Sequence, residues 1–277
     1  MASGRSQRHT GIAGTGGVIE VQSGVTDLIT ISQAYTRVEW LEIDGNSVAG
    51  TGAIYTTGGG GYSQLRNLII HDMGAISVFL EGTSGYEQVR NCLIYDYGDD
   101  AVYVASTNVT VYNSTLYHTK NSGEGLQVGS AKSATAENVI AMGNNPDFYS
   151  SGTLTLNNCM SADSTAGSFG GTGNLTGKTA SNQFNSVSGA IDLHLKTGAD
   201  AINAGKSLSA TFTDDIDGQA RAGAWDIGAD EIPANLNSLN PLLAYTDTAA
   251  VDTLRYSTYT TSWSAEATGP DSNDNNL

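Results

Sequence analysis

Residues 65–80 read LRNLIIHDMGAISVFL and residues 89–104 read VRNCLIYDYGDDAVYV, the same frame displaced by 24 positions. The start of the frame returns in VYNSTLYH (111–118), AENVIAMG (136–143) and LNNCMSAD (156–163). Asn67, Asn91, Asn113, Asn138 and Asn158 then fall in one column, spaced 24, 22, 25 and 20 residues apart. An earlier segment, RVEWLEID (37–44), fits with Glu39 at the Asn position. A second column holds Ile54, Val78, Val102, Leu126 and Phe148, each followed by Tyr55, Phe79, Tyr103, Gln127 and Tyr149. Neighbours in a strand point to opposite faces, so the aliphatic column is expected inward and the aromatic one outward. A period of 20–25 residues with short strands and no helical periodicity predicts stacked coils, a parallel β-solenoid. Asn suits the corner column: it tolerates left-handed backbone, and stacked amides can bond one another along the axis.

The composition agrees. Gly is abundant at 34 and Pro scarce at 4, which favours many turns over long helices. With 12 basic and 28 acidic residues the net charge is −16. Such a chain repels phosphate backbones and anionic membrane surfaces, so neither nucleic acid nor a membrane is an expected partner. No apolar run reaches the ~18 residues of a bilayer span. The opening MASGRSQRHTGIAGTGG lacks an apolar core, so an ordinary secretory signal is not expected there. Cys92 and Cys159 both follow the Asn column, three coils apart. At ~4.8 Å per coil they are roughly 14 Å apart, too far for a disulfide, and both are expected free and buried.

The N-x-x-I corners followed by G-x-x-V-Y-V strands resemble the right-handed parallel β-helix of the pectin-lyase-like superfamily. The stretch 191–232 resembles the closing segment of bacterial and phage-borne β-helix repeat proteins. Its DIDGQAR (215–221) and WDIGADE (225–231) are the more specific motifs. The resemblance covers roughly residues 4–232. It implies an all-β, single-stranded right-handed parallel β-helix with a closing segment and tail. It also implies a structural or adhesive subunit of a virion or surface appendage, of tail-spike or fibre type, on the virion or extracellular surface. Such a subunit would work as a homo-oligomer or with appendage partners, and could bind polysaccharide. The superfamily also contains enzymes, so a lyase or glycoside hydrolase acting on acidic polysaccharide is the alternative.

The coils are expected over 1–184, with 164–184 as an irregular Gly/Ser/Thr loop. A closing segment over 185–232 would cover the solenoid end. The tail, 233–277, lacks the 24-residue register and carries strand-like TLRYSTY (253–259) and Trp263, an anchor for a neighbouring subunit.

Three groups of side chains are candidates for chemistry. Asp99 and Asp100, with Glu124 one coil on, could form a general acid and base, although GAIS (74–77) and GEG (123–125) stand where polysaccharide hydrolases of this fold carry further motifs. Asp72, Asp96 and His118 follow the Asn column by five residues, as do Asp44 and Asp163. Asp96 can pair with His118, and calcium is the one cofactor that Asp72 and Asp96 could hold. Tyr55, Phe79, Tyr103 and Tyr149, joined by Tyr95 and Tyr117, offer flat faces to a sugar or a protein partner. Arg66, Arg90, Lys120 and Lys132 read as solvated surface. Asp215 and Asp217 are expected to pair with Arg221.

Overall fold

The computed structural model describes residues 8–23 and 25–233, and the backbone of three strands beyond them. The chain divides into two compact units, Met1–Ile232 and Pro233–Leu277. In the second, Leu243–Thr246, Leu254–Ser257 and Ala267–Thr268 form a small antiparallel sheet. Trp263, and with it the expected anchor, lies outside the described residues.

The first unit is a parallel solenoid with three faces. Sheet A stacks seven strands: Val18–Glu20, Glu42–Asp44, Ile69–His71, Leu93–Tyr97, Thr115–Thr119, Ile140–Met142 and Met160–Ser161. Sheet B stacks six, from Asp27–Ile31 through Gly52–Thr56, Val78–Leu80, Val102–Val104 and Leu126–Val128 to Phe148–Ser150. Sheet C stacks six more, from Arg37–Glu39 to Thr153–Asn157. Among the described residues no helix is long and apolar enough to cross a membrane.

The two sequence columns are rungs of the structure. Ile54, Val78, Val102, Leu126 and Phe148 pair in direct register and are buried, whereas Tyr55, Phe79 and Tyr103 beside them are half-exposed. The five asparagines turn the chain from sheet C to sheet A with φ between 40° and 58°, where Asn is tolerated better than β-branched or bulky residues. One alignment shifts. Glu39 pairs with Arg66, so Trp40, with φ 60°, takes the corner of the first coil. Asp44 therefore lies beside His71 and not in the column of Asp72. Cys92 and Cys159 are free and buried in the core.

The closing segment covers a side of the solenoid, where the sequence led us to expect it over the end. Sheet A is apolar on both faces: Ile43, Ile70, Ile94 and Leu116 point into the core, while Ile69, Leu93, Tyr95, Tyr117 and Ile140 point outward. Phe184, Leu193, Leu195, Ile216 and Ile227 pack over this outer face. Tyr95 and Tyr117 are thus buried beneath the closing segment, and Tyr117 donates its hydroxyl to the Val187 carbonyl. They are not part of an exposed aromatic surface.

The Asn corner docks this segment. Amides of Asn67, Asn91, Asn113, Asn138 and Asn158 donate to the carbonyls of Asp215, Asp214, Asp226, Lys206 and Ala204, respectively. One bond within the ladder also forms, from Asn138 to Asn113. Arg221 pairs with Glu231 at 3.1 Å, while Asp217 pairs with His194, which corrects the expected partners of Arg221. Asp215 instead caps its own turn by accepting from the N–H groups of Asp217 and Gln219. The Gly-rich stretch is also less irregular than expected: Leu175 bridges Met160 in parallel and a short helix follows at Ala180–Gln183.

Candidate functional site

The outer face of sheet B carries the aromatic column. One residue per coil projects from the same strand position, so the rings meet at about the strand spacing. Tyr55 and Phe79 meet edge to face at 5.3 Å, and Phe79 and Tyr103 lie tilted at 4.9 Å. Gln127 interrupts the column before Tyr149, which is exposed. A groove of about 380 Å³ runs beside the rings, lined by Asp27, Tyr55, Ile76, Phe79, Glu81 and Asp99 among others. The Tyr55 hydroxyl donates to Glu81, and this carboxylate raises the pKa of the phenol. Partial burial raises that of Asp27.

Asp99, Asp100 and Glu124 come together across two coils, with carboxylate oxygens within 4.8 Å of one another. Gly123 permits this approach, because a Cβ there would run into the Asp99 backbone. Asp100 is only 2% exposed and accepts from the Glu124 N–H at 2.9 Å. Burial, and then Glu124, push its pKa up to about 8. Asp100 therefore holds its proton at neutral pH. Asp99, exposed, is the member that reaches the groove.

Asp72, Asp96 and His118 do occupy one column, and all three have left-handed φ, at 54°, 53° and 61°. Their side chains are engaged. Asp72 accepts from Lys120 at 2.7 Å and from His71 at 3.0 Å, and these partners lower its pKa against the opposing effect of burial. Asp96 lies 2.6 Å from His118 Nδ1. Both oxygens of Asp72 therefore already face donors, a poor fit to a calcium ion, which needs six or more oxygens. His71, which the sequence reading passed over, is stacked on Tyr95 at 5.2 Å and bonded to Glu42 at 3.1 Å.

Of the residues expected at the surface, Arg66 pairs with Glu39, and Arg90 is buried with its guanidinium 4.8 Å from the Phe212 ring centre. Lys132 lines a second hollow, of about 270 Å³, in the turn from sheet B to sheet C.

A further aromatic column went unread. Tyr35, Tyr62 and Tyr86 stack where that turn enters sheet C, at 5.0 and 5.1 Å with ring planes 17° and 12° apart. Their spacing of 27 and 24 residues follows the repeat, so they were open to discovery.

No curated protein matches the chain. The family model described as the right-handed beta helix region matches residues 19–166, more than half of the sequence. This span holds the coils of all three sheets, and the pectin-lyase-like superfamily fits the same architecture. The chain belongs to the right-handed β-helix family.

Proposed function

We propose that the chain is a structural, adhesive subunit of a virion or extracellular appendage that binds glycan along the outer face of sheet B. The observation that carries this reading is the Tyr55–Phe79–Tyr103 column beside its groove. Aromatic faces flanked by polar groups suit the C–H faces and hydroxyls of sugars. The charged residues lining the groove are Asp27, Glu81 and Asp99, all acidic, so a neutral glycan is favoured over a uronate polymer. Glycan-array binding tests this. Phe79→Ala should weaken retention at least fivefold without lowering Tm by more than a few degrees, and equal retention would refute it. Assembly into homo-oligomers or with appendage partners belongs to the same proposal. Deleting 236–277 should lower oligomeric order while the coils, a compact unit of their own, stay folded.

A glycoside hydrolase is the second reading. Its support is Asp100, which at neutral pH keeps the proton a general acid needs, close to Asp99 and Glu124. Burial of Asp100 stands against direct contact with a substrate. Release of reducing ends from neutral glycans, abolished in Glu124→Gln, would favour it. A lyase lacks support, because none of the groove-lining residues is basic.

A further inference from the structure

We infer that Tyr35, Tyr62 and Tyr86 form a second carbohydrate-contact line, around the corner from sheet B, gripping a neutral polysaccharide laid along the solenoid axis. This rests on the glycan-binding reading and extends it to a site with its own residues.

Backbone conformation is the first observation. The three tyrosines have φ of 60°, 59° and 63°, a region disfavoured for bulky side chains. The next coil meets the same bend with Asn108 at φ 56°. The bend itself therefore does not demand an aromatic residue. Unfavourable backbone retained on three successive coils is the pattern of a functional constraint.

Exposure is the second. Tyr35 is 76% exposed, Tyr62 38% and Tyr86 53%, although Tyr95 and Tyr117 on sheet A are covered. Stacking turns the inner ring faces toward one another. What remains for a ligand is the row of ring edges and hydroxyls, repeated once per coil, and the outer face of Tyr35. Among the described residues no ring stacks on that face.

The chemistry around the rings selects the ligand. Residues 32–36, 57–63, 82–86 and 105–108 carry no charged side chain, in a chain of net charge −16. They supply Gly, Ser, Thr, Gln and Asn instead. Charged side chains flank these bends: Glu81 and Lys132 line the hollow on the sheet B side and Arg37 follows Thr36, while Glu87 is buried and accepts from Gly82 N–H and the Ser106 hydroxyl. Aromatic edges on bends whose own residues are uncharged and hydroxyl-rich suit a polyhydroxylated neutral polymer better than a charged one. A second protein is a poorer fit. Three tyrosines bury at most roughly 150–250 Å² each, below the ~800 Å² per partner of a stable interface.

Affinity electrophoresis of the full chain in native gels containing hydroxyethylcellulose, laminarin or galactomannan tests the inference. Tyr35→Asn/Tyr62→Asn/Tyr86→Asn removes the rings but suits the left-handed bend, as Asn108 does, so the fold should persist. Wild type should be retarded by at least one of these polymers, and the triple variant should raise the apparent Kd at least fivefold. The matching triple Phe variant, which keeps the stack and loses the hydroxyls, should fall between them and guards against a folding defect. Retardation that is lost in Phe79→Ala but unchanged in the triple Asn variant would overturn this inference and leave the sheet B reading standing. Absence of retardation for wild type in all three gels would overturn both. A change in oligomer mass on size exclusion with light scattering, confined to the triple Asn variant, would make the stack a self-contact and overturn the carbohydrate assignment.

Discussion

Arg221→Met should release the closing segment while sparing the coils. The guanidinium side chain has no solvent exposure and is paired with Glu231, itself 3% exposed, at 3.1 Å. It also donates to the carbonyls of Ala229 at 2.6 Å, Gly228 at 3.1 Å, Asp214 at 3.2 Å and Asp230 at 3.4 Å. Methionine fills much of the volume but satisfies none of these acceptors. Removing one partner of a buried ion pair costs about 3–5 kcal/mol, because the other charge stays desolvated. Burial already raises the pKa of Glu231, and its bonds from the Ala222 and Asp226 N–H groups remain, so the lower end of that range is expected. Native-state hydrogen exchange is the assay. Amides of Ile69–His71, Leu93–Tyr97 and Thr115–Thr119 should exchange faster once their cover opens, while those of Val102–Val104 on sheet B should not. Arg221→Met/Glu231→Gln should recover at least ~1 kcal/mol in urea unfolding, since the orphaned charge is gone. If the single variant unfolds at the wild-type urea concentration, or if sheets A and B lose protection together, the closing segment is not a separately held element and the reasoning fails.

Val102→Asp places a carboxylate in a fully buried aliphatic rung and should cost several kcal/mol, whereas Tyr103→Ala, on the outer face, should leave the melting temperature nearly unchanged; comparable losses by calorimetry would reverse the assignment of faces. Stability should fall as pH rises. Burial raises the pKa of Asp147 and Asp230 to about 6, Asp215 to about 7 and Asp100 to about 8, so the folded state binds more protons than the unfolded one between ordinary carboxylate values and these. His194, raised to about 10 through Asp217 and its neighbours despite burial, acts in the same direction: its contribution is complete below about 6.5 and is lost as pH passes 10. Urea titrations at pH 5 and pH 9 should differ by at least ~2 kcal/mol in favour of pH 5, and the opposite order would show that other groups dominate. Cys92 and Cys159, with thiols pushed up to about 12 by burial, should ignore a thiol reagent in the native state and react fully in denaturant; fast native labelling would contradict their core position.

The coils were legible because a solenoid repeats its constraints. Each inward residue stacks on its equivalent, so the column of Ile54, Val78 and Val102 reports the register directly. The first coil was misaligned by one residue because Trp40 takes a corner where the sequence pattern favours Asn. The cover over sheet A was visible and went unread: LII (68–70), CLIY (92–95) and VIAM (139–142) are apolar at consecutive positions, as strands buried on both faces must be. Tyr95 and Tyr117 join the aromatic surface in the sequence only because they fall on neighbouring coils, and a place in the repeat does not say what lies beyond a side chain. The Asp99–Asp100–Glu124 contact followed from the 24-residue step, but the burial of Asp100 depends on how the chain bends between sheets, which spacing does not encode.

The asparagine corner has a consequence for the order of folding. A solenoid rung needs only its neighbour, so the coils can form one after another as they are synthesised. Asn67, however, bonds to Asp215, 148 residues later, and Asn91 to Asp214. Until that stretch is made, the outer faces of Ile69, Leu93 and Ile140 have no cover, and the corner amides have only water. A nascent chain of some 180 residues would therefore be a nearly complete solenoid with one greasy wall, at risk of sticking to its neighbours. The last fifty residues of the unit strap that wall across five coils, and so tie together rungs that otherwise touch only their neighbours.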